Sequence, residues 1–249
     1  DTIIHQAGKF GDYVGHISIT YDHDKNQITN YHAECLPVNH YLPCEETAKS
    51  IKELMVEKQV ILNETVSILD EPLTISWENP SPLASLLAAA VRQWCNAEIG
   101  MINSGLLLDN LNKGRITKGE LHRICPHPIN PCKVQLTGQV LKEIIHHALS
   151  EEMITKKIRG FGFRGKQMGI MVFDGVTYEA KKLADGLIHI FNIKINGEKI
   201  KNDRLYEVAT VDMFTFGHLY PAIAAAKEKK YYMPELLRDL LAWKLTKNV

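Results

Sequence analysis

The chain has 249 residues, 45% of them hydrophobic and 23% charged, with 16 Gly, 10 Pro and 5 Cys; this composition excludes a disordered, collagen-like or disulfide-scaffold chain and supplies enough apolar residues for a sizeable core. Lys plus Arg and Asp plus Glu each number 29, so the formal net charge is zero and no global positive field exists to hold a nucleic acid polymer or an anionic membrane. The longest apolar run, Leu83 to Val91, is broken by Ser85 and falls far short of the roughly 20 residues that cross a bilayer, so the sequence offers no membrane span.

The first residues, Asp1 to Gly8, have neither a basic segment nor an apolar one and no initiating Met, and they read as cut from something longer. Residues Tyr13 to Tyr21 are rich in β-branched and aromatic side chains, and Asp22-His23-Asp24-Lys25-Asn26 then forms a charged turn leading to Ile28 and Tyr31; the chain therefore opens on a hairpin. From Pro43 to Gln59, Ala48, Ile51, Leu54 and Met55 recur on one face behind Glu45 and Glu46, which predicts a connecting helix with acidic residues in its first turn. Asn79-Pro80-Ser81-Pro82 places Ser81 as N-cap and Pro82 at the first position of a helix running to about Asn96. That helix is apolar on nearly all sides and should be central to the core. The main domain is expected to begin between about residues 60 and 80.

A short strand over Glu98 to Ile102 follows, and Thr117-Lys118-Gly119-Glu120 matches a capping box before a short helix. Thr137-Gly138 opens an amphipathic helix with Val140, Leu141, Ile144, Ile145, Ala148 and Leu149. Asp174-Gly175 and Asn196-Gly197 both read as two-residue hairpin turns. Leu205 to Val211 is a further strand, and Pro234 to Lys244 a closing helix. Helices and strands are mixed rather than alternating, so the fold class is α+β, with mixed sheets and packed helices.

The chemistry-bearing residue types form no complete catalytic machine. His146 and His147 are neighbours and point about 100° apart on a helix, so they cannot share one metal. Cys125 and Cys132 flank His127 in a run with three prolines, and their six-residue gap matches no common zinc spacing. No zinc helix, nucleophile elbow or phosphate-binding loop occurs. What remains is suited to binding. Asn103-Ser104-Gly105 follows a strand, where small residues let backbone N–H groups approach a ligand. Arg159 to Lys166, containing Phe161, Phe163 and Arg164, alternates small, aromatic and cationic residues, as a loop does that stacks a planar ring and neutralises phosphate, although a structural loop fits the spacing equally. Asp212 to His218 places Met213, Phe214 and Phe216 directly after a strand, where core packing is the plain alternative. Five cysteines cannot all pair, and Cys95 sits in an apolar helix, a usage that favours a reducing compartment such as the cytoplasm; a cell-surface or secreted site stays open.

Residues 100 to 221 resemble the C-terminal, substrate-recognition domain of the 5'-nucleotidase family, which includes UDP-sugar hydrolases and 2',3'-cyclic phosphodiesterases. The landmarks are Asn103-Ser104-Gly105, then Asn112 through Leu121, then Pro126 through Gly138, and finally Tyr206 through Asp212, all in the family's order. Ile4 to Gly11 with Gly15-His16-Ile17 is similar to the last strands of the family's metallophosphatase domain. The resemblance implies residues 1–40 as terminal strands of that domain, 41–75 as connecting helix and linker, and 76–249 as the substrate-binding domain. It also implies two divalent metal ions and a catalytic His-Asp pair in an N-terminal partner domain, with no cofactor and no catalytic residue in this chain. Nucleotide or nucleotide-sugar recognition would then fall to Asn103, Ser104, Gly105, His127 and Asn130, to the stackers Phe163 or Phe161 facing Met213 or Phe214, and to the cations Arg164 and Lys166.

Departures from the family pattern bear on substrate. Leu108 stands where the family has a phosphate-gripping arginine, Asn130 comes one place late, and Gly217-His218-Leu219-Tyr220 lacks the aspartate that contacts the nucleoside; a site without that fixed acceptor discriminates differently and argues against a simple nucleoside monophosphate as preferred substrate. Another phosphate ester or a cyclic dinucleotide fits the same pocket. The competing expectation is a non-catalytic interdomain or oligomerisation scaffold that has lost nucleotide recognition, and a homodimer is compatible with either.

Overall fold

A computed structural model describes residues 2–182 and 188–247. The chain divides into two compact units, Asp1–Lys58 and Gln59–Val249. In the first, β1 (Tyr13–Asp22) and β2 (Gln27–Pro37) form an antiparallel hairpin whose turn carries Asn26 at positive φ, and the register shifts between Thr20 and Tyr21. Apolar residues face solvent on both sides of this ribbon, among them Val14, Ile17, Ile19, Ile28 and Tyr31. The helix α1 (Glu45–Leu62) begins with Glu45 and Glu46 in its first turn and buries none of its residues. Cys35 and Cys44, both exposed, lie in this unit.

The second unit is built on a mixed sheet. Its elements are β3 (Thr65–Leu69), α2 (Pro82–Trp94), β4 (Ile99–Asn103), β5 (Gly114–Thr117), α3 (Lys118–Ile124), β6 (Pro131–Thr137), α4 (Gly138–Ala148), α5 (Glu151–Thr155), β7 (Met171–Asp174), β8 (Val176–Lys182), β9 (Ile188–Ile195), β10 (Glu198–Lys199), β11 (Leu205–Val211), α6 (Pro221–Ala224), β12 (Lys229–Tyr231) and α7 (Leu237–Lys247). Five strands form one sheet in the order β12-β6-β11-β4-β7, in which β11 runs parallel to β4 and the other pairs are antiparallel. A smaller sheet has the order β10-β9-β8, and β3 pairs with β5. The class is α+β, as the mixed order of elements predicts.

Physical reasons for this arrangement are visible in the residues. Every side chain of β4 is buried, because the strand lies inside the sheet beneath α2. The helix α2 covers β4, β7 and β11 and is backed by α7, so its apolar character on nearly all sides matches two packed faces. Along β6, Cys132, Val134 and Leu136 are buried while Lys133, Gln135 and Thr137 alternate outward. Burial, the dominant cause, pushes the Cys95 and Cys125 thiols up to about 12 and also raises Cys132, so all three behave as small hydrophobes.

Several sequence expectations need correction. Asp174-Gly175 does not close a hairpin: β7 pairs with β4, β8 pairs with β9, and Gly175 at φ 83° lets the chain step from one sheet to the other. Ser81 is the N-cap, as its extended backbone shows, but its hydroxyl makes no capping bond; the Leu83 amide, at the second helical position, donates instead to the Thr74 carbonyl (3.1 Å). Conversely, Thr117 and Glu120 form the full reciprocal capping box at α3, Thr137 caps α4, and Asn196-Gly197 turns β9 into β10 with both residues at positive φ.

Candidate functional site

Because β4 and β11 are parallel and their neighbours antiparallel, Asn103 at the end of β4, Val211 at the end of β11, Pro131 at the start of β6 and Met171 at the start of β7 reach one edge of the sheet. The loops carrying most of the sequence candidates leave from that edge, and the structure sorts these residues into a buried frame and an exposed rim.

The frame contains Asn103, Ser104, Gly105, His127 and Phe163, all buried. Asn103 Nδ2 donates to the Met168 carbonyl (2.7 Å), and the Ser104 and Gly105 amides donate to the carbonyls of Ile170 (2.9 Å) and Met168 (2.8 Å). These small residues therefore serve a close approach between protein segments, and the two amides are already in use. A Cβ on Gly105 would stand 2.0 Å from the Gln167 carbonyl oxygen, and one on Gly165 would stand 2.4 Å from the Gly105 oxygen. Phe163 stacks on His127, with ring centroids 5.4 Å apart and planes 15° apart.

His127 is held as a neutral ring. Its Nδ1 accepts from the Arg164 amide (2.9 Å), which puts the proton on Nε2, and Nε2 has no hydrogen-bond partner. Burial pushes its pKa down to about 4, with the carbonyls of Leu106 and Gly162 opposing and the positive charges of Arg164 and Arg238 adding to the effect. Asn130 is tied to Asp212 by two backbone contacts: its amide donates to Asp212 Oδ2 (3.3 Å), and its carbonyl accepts from the Asp212 amide (3.0 Å). Burial raises the Asp212 carboxyl, and its Oδ1 is buried with no partner.

The rim is aromatic and cationic. Gly160 to Phe163 makes a tight turn in which the Phe163 amide donates to the Gly160 carbonyl (2.9 Å), with Phe161 at φ 52° and Gly162 at φ 75°. Positive φ at both central positions is the type I′ pattern, and for an aromatic residue it is a strained conformation. The turn thrusts out Phe161, 41% exposed, against Phe216 (centroids 5.7 Å) and His218 (4.9 Å). Arg164 and Lys166, with Arg159, are exposed and enter no ion pair among the described residues.

Met213 and Phe214 lie on the interior side of the short helical turn after β11, 2% and 0% exposed, and Phe214 packs edge-on against Tyr220. Neither presents a face to solvent, and Phe163 is likewise covered by His127. The aromatic surface instead consists of Phe161, Phe216 and His218. Phe216 is absent from the stackers that the family resemblance implies, and nothing in the spacing tells which of Phe214 and Phe216 turns outward. Among the described residues no group of three or more His, Cys, Asp or Glu is placed to hold a metal ion, and no helix is long and apolar enough to cross a membrane.

By fold, the second unit belongs with α+β domains whose loops gather at the joined ends of a mixed sheet. Comparison with known proteins narrows this class. Residues 62–224 match the family model "5'-nucleotidase, C-terminal domain", and the chain belongs to that family. It is 46% identical over 244 residues to an uncharacterized metallophosphoesterase, YunD, of Bacillus subtilis (strain 168), covering 98% of this chain and 53% of YunD. It thus spans about half the length of that relative. The fold is similar to a 5'-nucleotidase precursor of Thermus thermophilus (TM-score 0.65, 15% identity, 98% of this chain and 48% of that one). It is also similar to the NAD nucleotidase NadN of Haemophilus influenzae (TM-score 0.62, 14% identity, 98% and 52%).

Proposed function

We propose that this chain is the substrate-recognition portion of a two-metal phosphoesterase that hydrolyses nucleotides or nucleotide sugars, with its metals held by a metallophosphatase domain for which residues 1–40 supply terminal strands. The carrying observation is the exposed Phe161, Phe216 and His218 surface beside Arg159, Arg164 and Lys166. A planar base stacks on aromatic faces, and the unpaired cations meet phosphate. Stacked rings sit about 3.5 Å apart, so a base held between Phe161 and Phe216 requires the two rings to part to about 7 Å from their present 5.7 Å contact. No step of hydrolysis is assigned to residues of this chain; binding and orientation are its contribution.

Relatives described as metallophosphoesterases and 5'-nucleotidases support this reading. The test is a thermal-shift screen against nucleosides, nucleotides, nucleotide sugars and inorganic phosphate, since a ligand that binds only the native state raises the melting temperature. One nucleotide class should shift the chain, and Phe161→Ala should weaken that binding about 5- to 150-fold, because base stacking contributes about 1–3 kcal/mol. Equal shifts in the parent chain and in both Phe161→Ala and Phe216→Ala would remove the stacking assignment.

A further inference from the structure

The opposite end of β6 carries a second feature, independent of the recognition edge. The strand β12 pairs with β6 only at Cys132, Lys133 and Val134, and the chain from Ala225 to Glu228 then leaves the sheet. Two cavities open along the gap and share Gln135, Lys227 and Glu228 in their walls. One, of about 560 Å³, is lined by apolar side chains including Leu136, Val140, Leu205, Ala222 and Ala225. The other, of about 430 Å³, is lined by Lys133, Lys227, Lys229 and Lys230 with Glu207 and Glu228, an excess of two positive charges.

The positive groups are not equivalent. Lys133 is held by Glu207 (2.9 Å), and Lys229 Nζ donates to the Ala226 carbonyl (2.7 Å). Lys227 and Lys230 enter no ion pair among the described residues. The backbone adds a polar anchor. Alternate residues of an antiparallel strand turn their N–H and C=O to the same neighbour. The Pro131 carbonyl accepts from the Tyr232 amide (3.0 Å), whereas the Gly138 amide donates to the Arg204 carbonyl on the β11 side (2.9 Å). Gln135 therefore directs its backbone amide and carbonyl into the gap that β12 leaves.

We propose that this groove binds a small amphiphilic anion, its apolar body in the cavity beside Leu136, Val140 and Leu205 and its carboxylate or phosphate head among Lys227, Lys230 and the Gln135 amide. The volume falls in the range of small-molecule sites, and an apolar wall with a few convergent polar groups is their usual construction. Charge complementarity selects an anionic head, and the apolar lining of the groove selects a hydrocarbon body over a bare anion.

The test is isothermal titration calorimetry of the chain with octanoate, decanoate and decyl phosphate below their micelle concentrations, with acetate, inorganic phosphate and neutral decanol as controls. Decanoate should bind more tightly than octanoate and at least 10-fold more tightly than acetate or decanol, with a negative heat-capacity change. Decyl phosphate against decanoate distinguishes a phosphate-ester source from a carboxylate one. Ala225→Trp, which fills the cavity, and Leu205→Glu, which charges its wall, should each weaken decanoate binding at least 10-fold; both positions are exposed, so the fold should tolerate them. Lys227→Glu with Lys230→Glu should do the same, while Phe161→Ala should bind as the parent does. Undiminished binding in both cavity variants, or decanoate no tighter than acetate, overturns the proposal. So does tighter binding of an alternating Val-Glu peptide, which would give the β6 edge to a strand partner, or self-association that hides the groove.

Discussion

His127 shows how its surroundings keep a polar ring uncharged. Its Nδ1 is spent on the Arg164 amide and its Nε2 makes no hydrogen bond, so protonation would place in the interior a charge whose burial outweighs what the Leu106 and Gly162 carbonyls return. In the folded chain it titrates at about 4, against 6.5 when unfolded. Below 6.5 the unfolded state takes up the proton first, so its contribution to stability is complete above pH 6.5 and is lost as the pH falls towards 4, by about 3 kcal/mol in all. His127→Phe should be less stable than the parent at pH 7, since the Arg164 amide loses its acceptor at a cost of about 1–3 kcal/mol. Urea denaturation should show that difference narrowing, and then reversing, as the pH approaches 4; a constant difference would mean that His127 takes up its proton in the native state as readily as in the unfolded one. Phe161 is the complementary case, an aromatic residue held at positive φ and in part exposed. The sequence marked Phe161 among its candidates, and its neighbours Gly160 and Gly162 are the readable sign of the turn. It could not tell that Phe163 and Phe214 face inward while Phe161 and Phe216 face outward, because that choice depends on what His127 and Tyr220 pack against.

At the scale of elements, local signals with a direct chemical mechanism translated well. The capping box of α3, the apolar sides of α2 and the Asn196-Gly197 turn are each decided within a few residues, and each appears in the fold. Distant pairing did not hide β4 and β11, whose apolar runs mark them as strands, but it hid elements that lack such a run. The short strands β3 and β5 pair across most of a domain's first third, and in β3 only Ser67 is buried, so no alternation marks it. Asp174-Gly175 has the residues of a hairpin turn but joins two sheets, a distinction that only tertiary pairing makes. The contact of Gly105 with Gly165 is likewise tertiary. It lets the loop that bears Arg164 and Lys166 lie directly on the end of β4, and a single methyl group would meet backbone oxygen. Overpacking of this kind typically costs about 1–3 kcal/mol, and backbone has less freedom to yield than side chain. Gly105→Ala should therefore lie at or beyond the upper end of that range in chemical denaturation and should lower affinity for any ligand of the rim.

Over the whole chain, stability should be distributed very unevenly. The second unit has a continuous core from Leu83 to Leu245, whereas α1 buries no residue and the β1–β2 ribbon is a two-stranded sheet with apolar side chains in water. Isolated two-stranded ribbons are marginal, and low local burial predicts opening at low free energy. Hydrogen exchange should show the amides of β1 and β2 exchanging within seconds to minutes while those of β4 and β11 remain protected to the level of global unfolding. Equal protection of both units would show that the hairpin is stabilised by more than its own pairing. Zero net charge and the sequence pI near 7.3 leave little electrostatic repulsion at neutral pH to keep those apolar faces apart.

The five free thiols turn this unevenness into something a reagent can read. Cys35 and Cys44 are exposed in the first unit, and hydrogen bonds from Thr47 and Glu46 lower the Cys44 pKa. Cys95, Cys125 and Cys132 are buried in the second unit and held in the unreactive protonated form. An alkylating reagent at neutral pH should therefore add two labels at once and three more only as fast as the core opens. Mass spectrometry over time would thus make the unmodified chain its own timepiece, the first two labels setting zero and the last three counting openings of the domain.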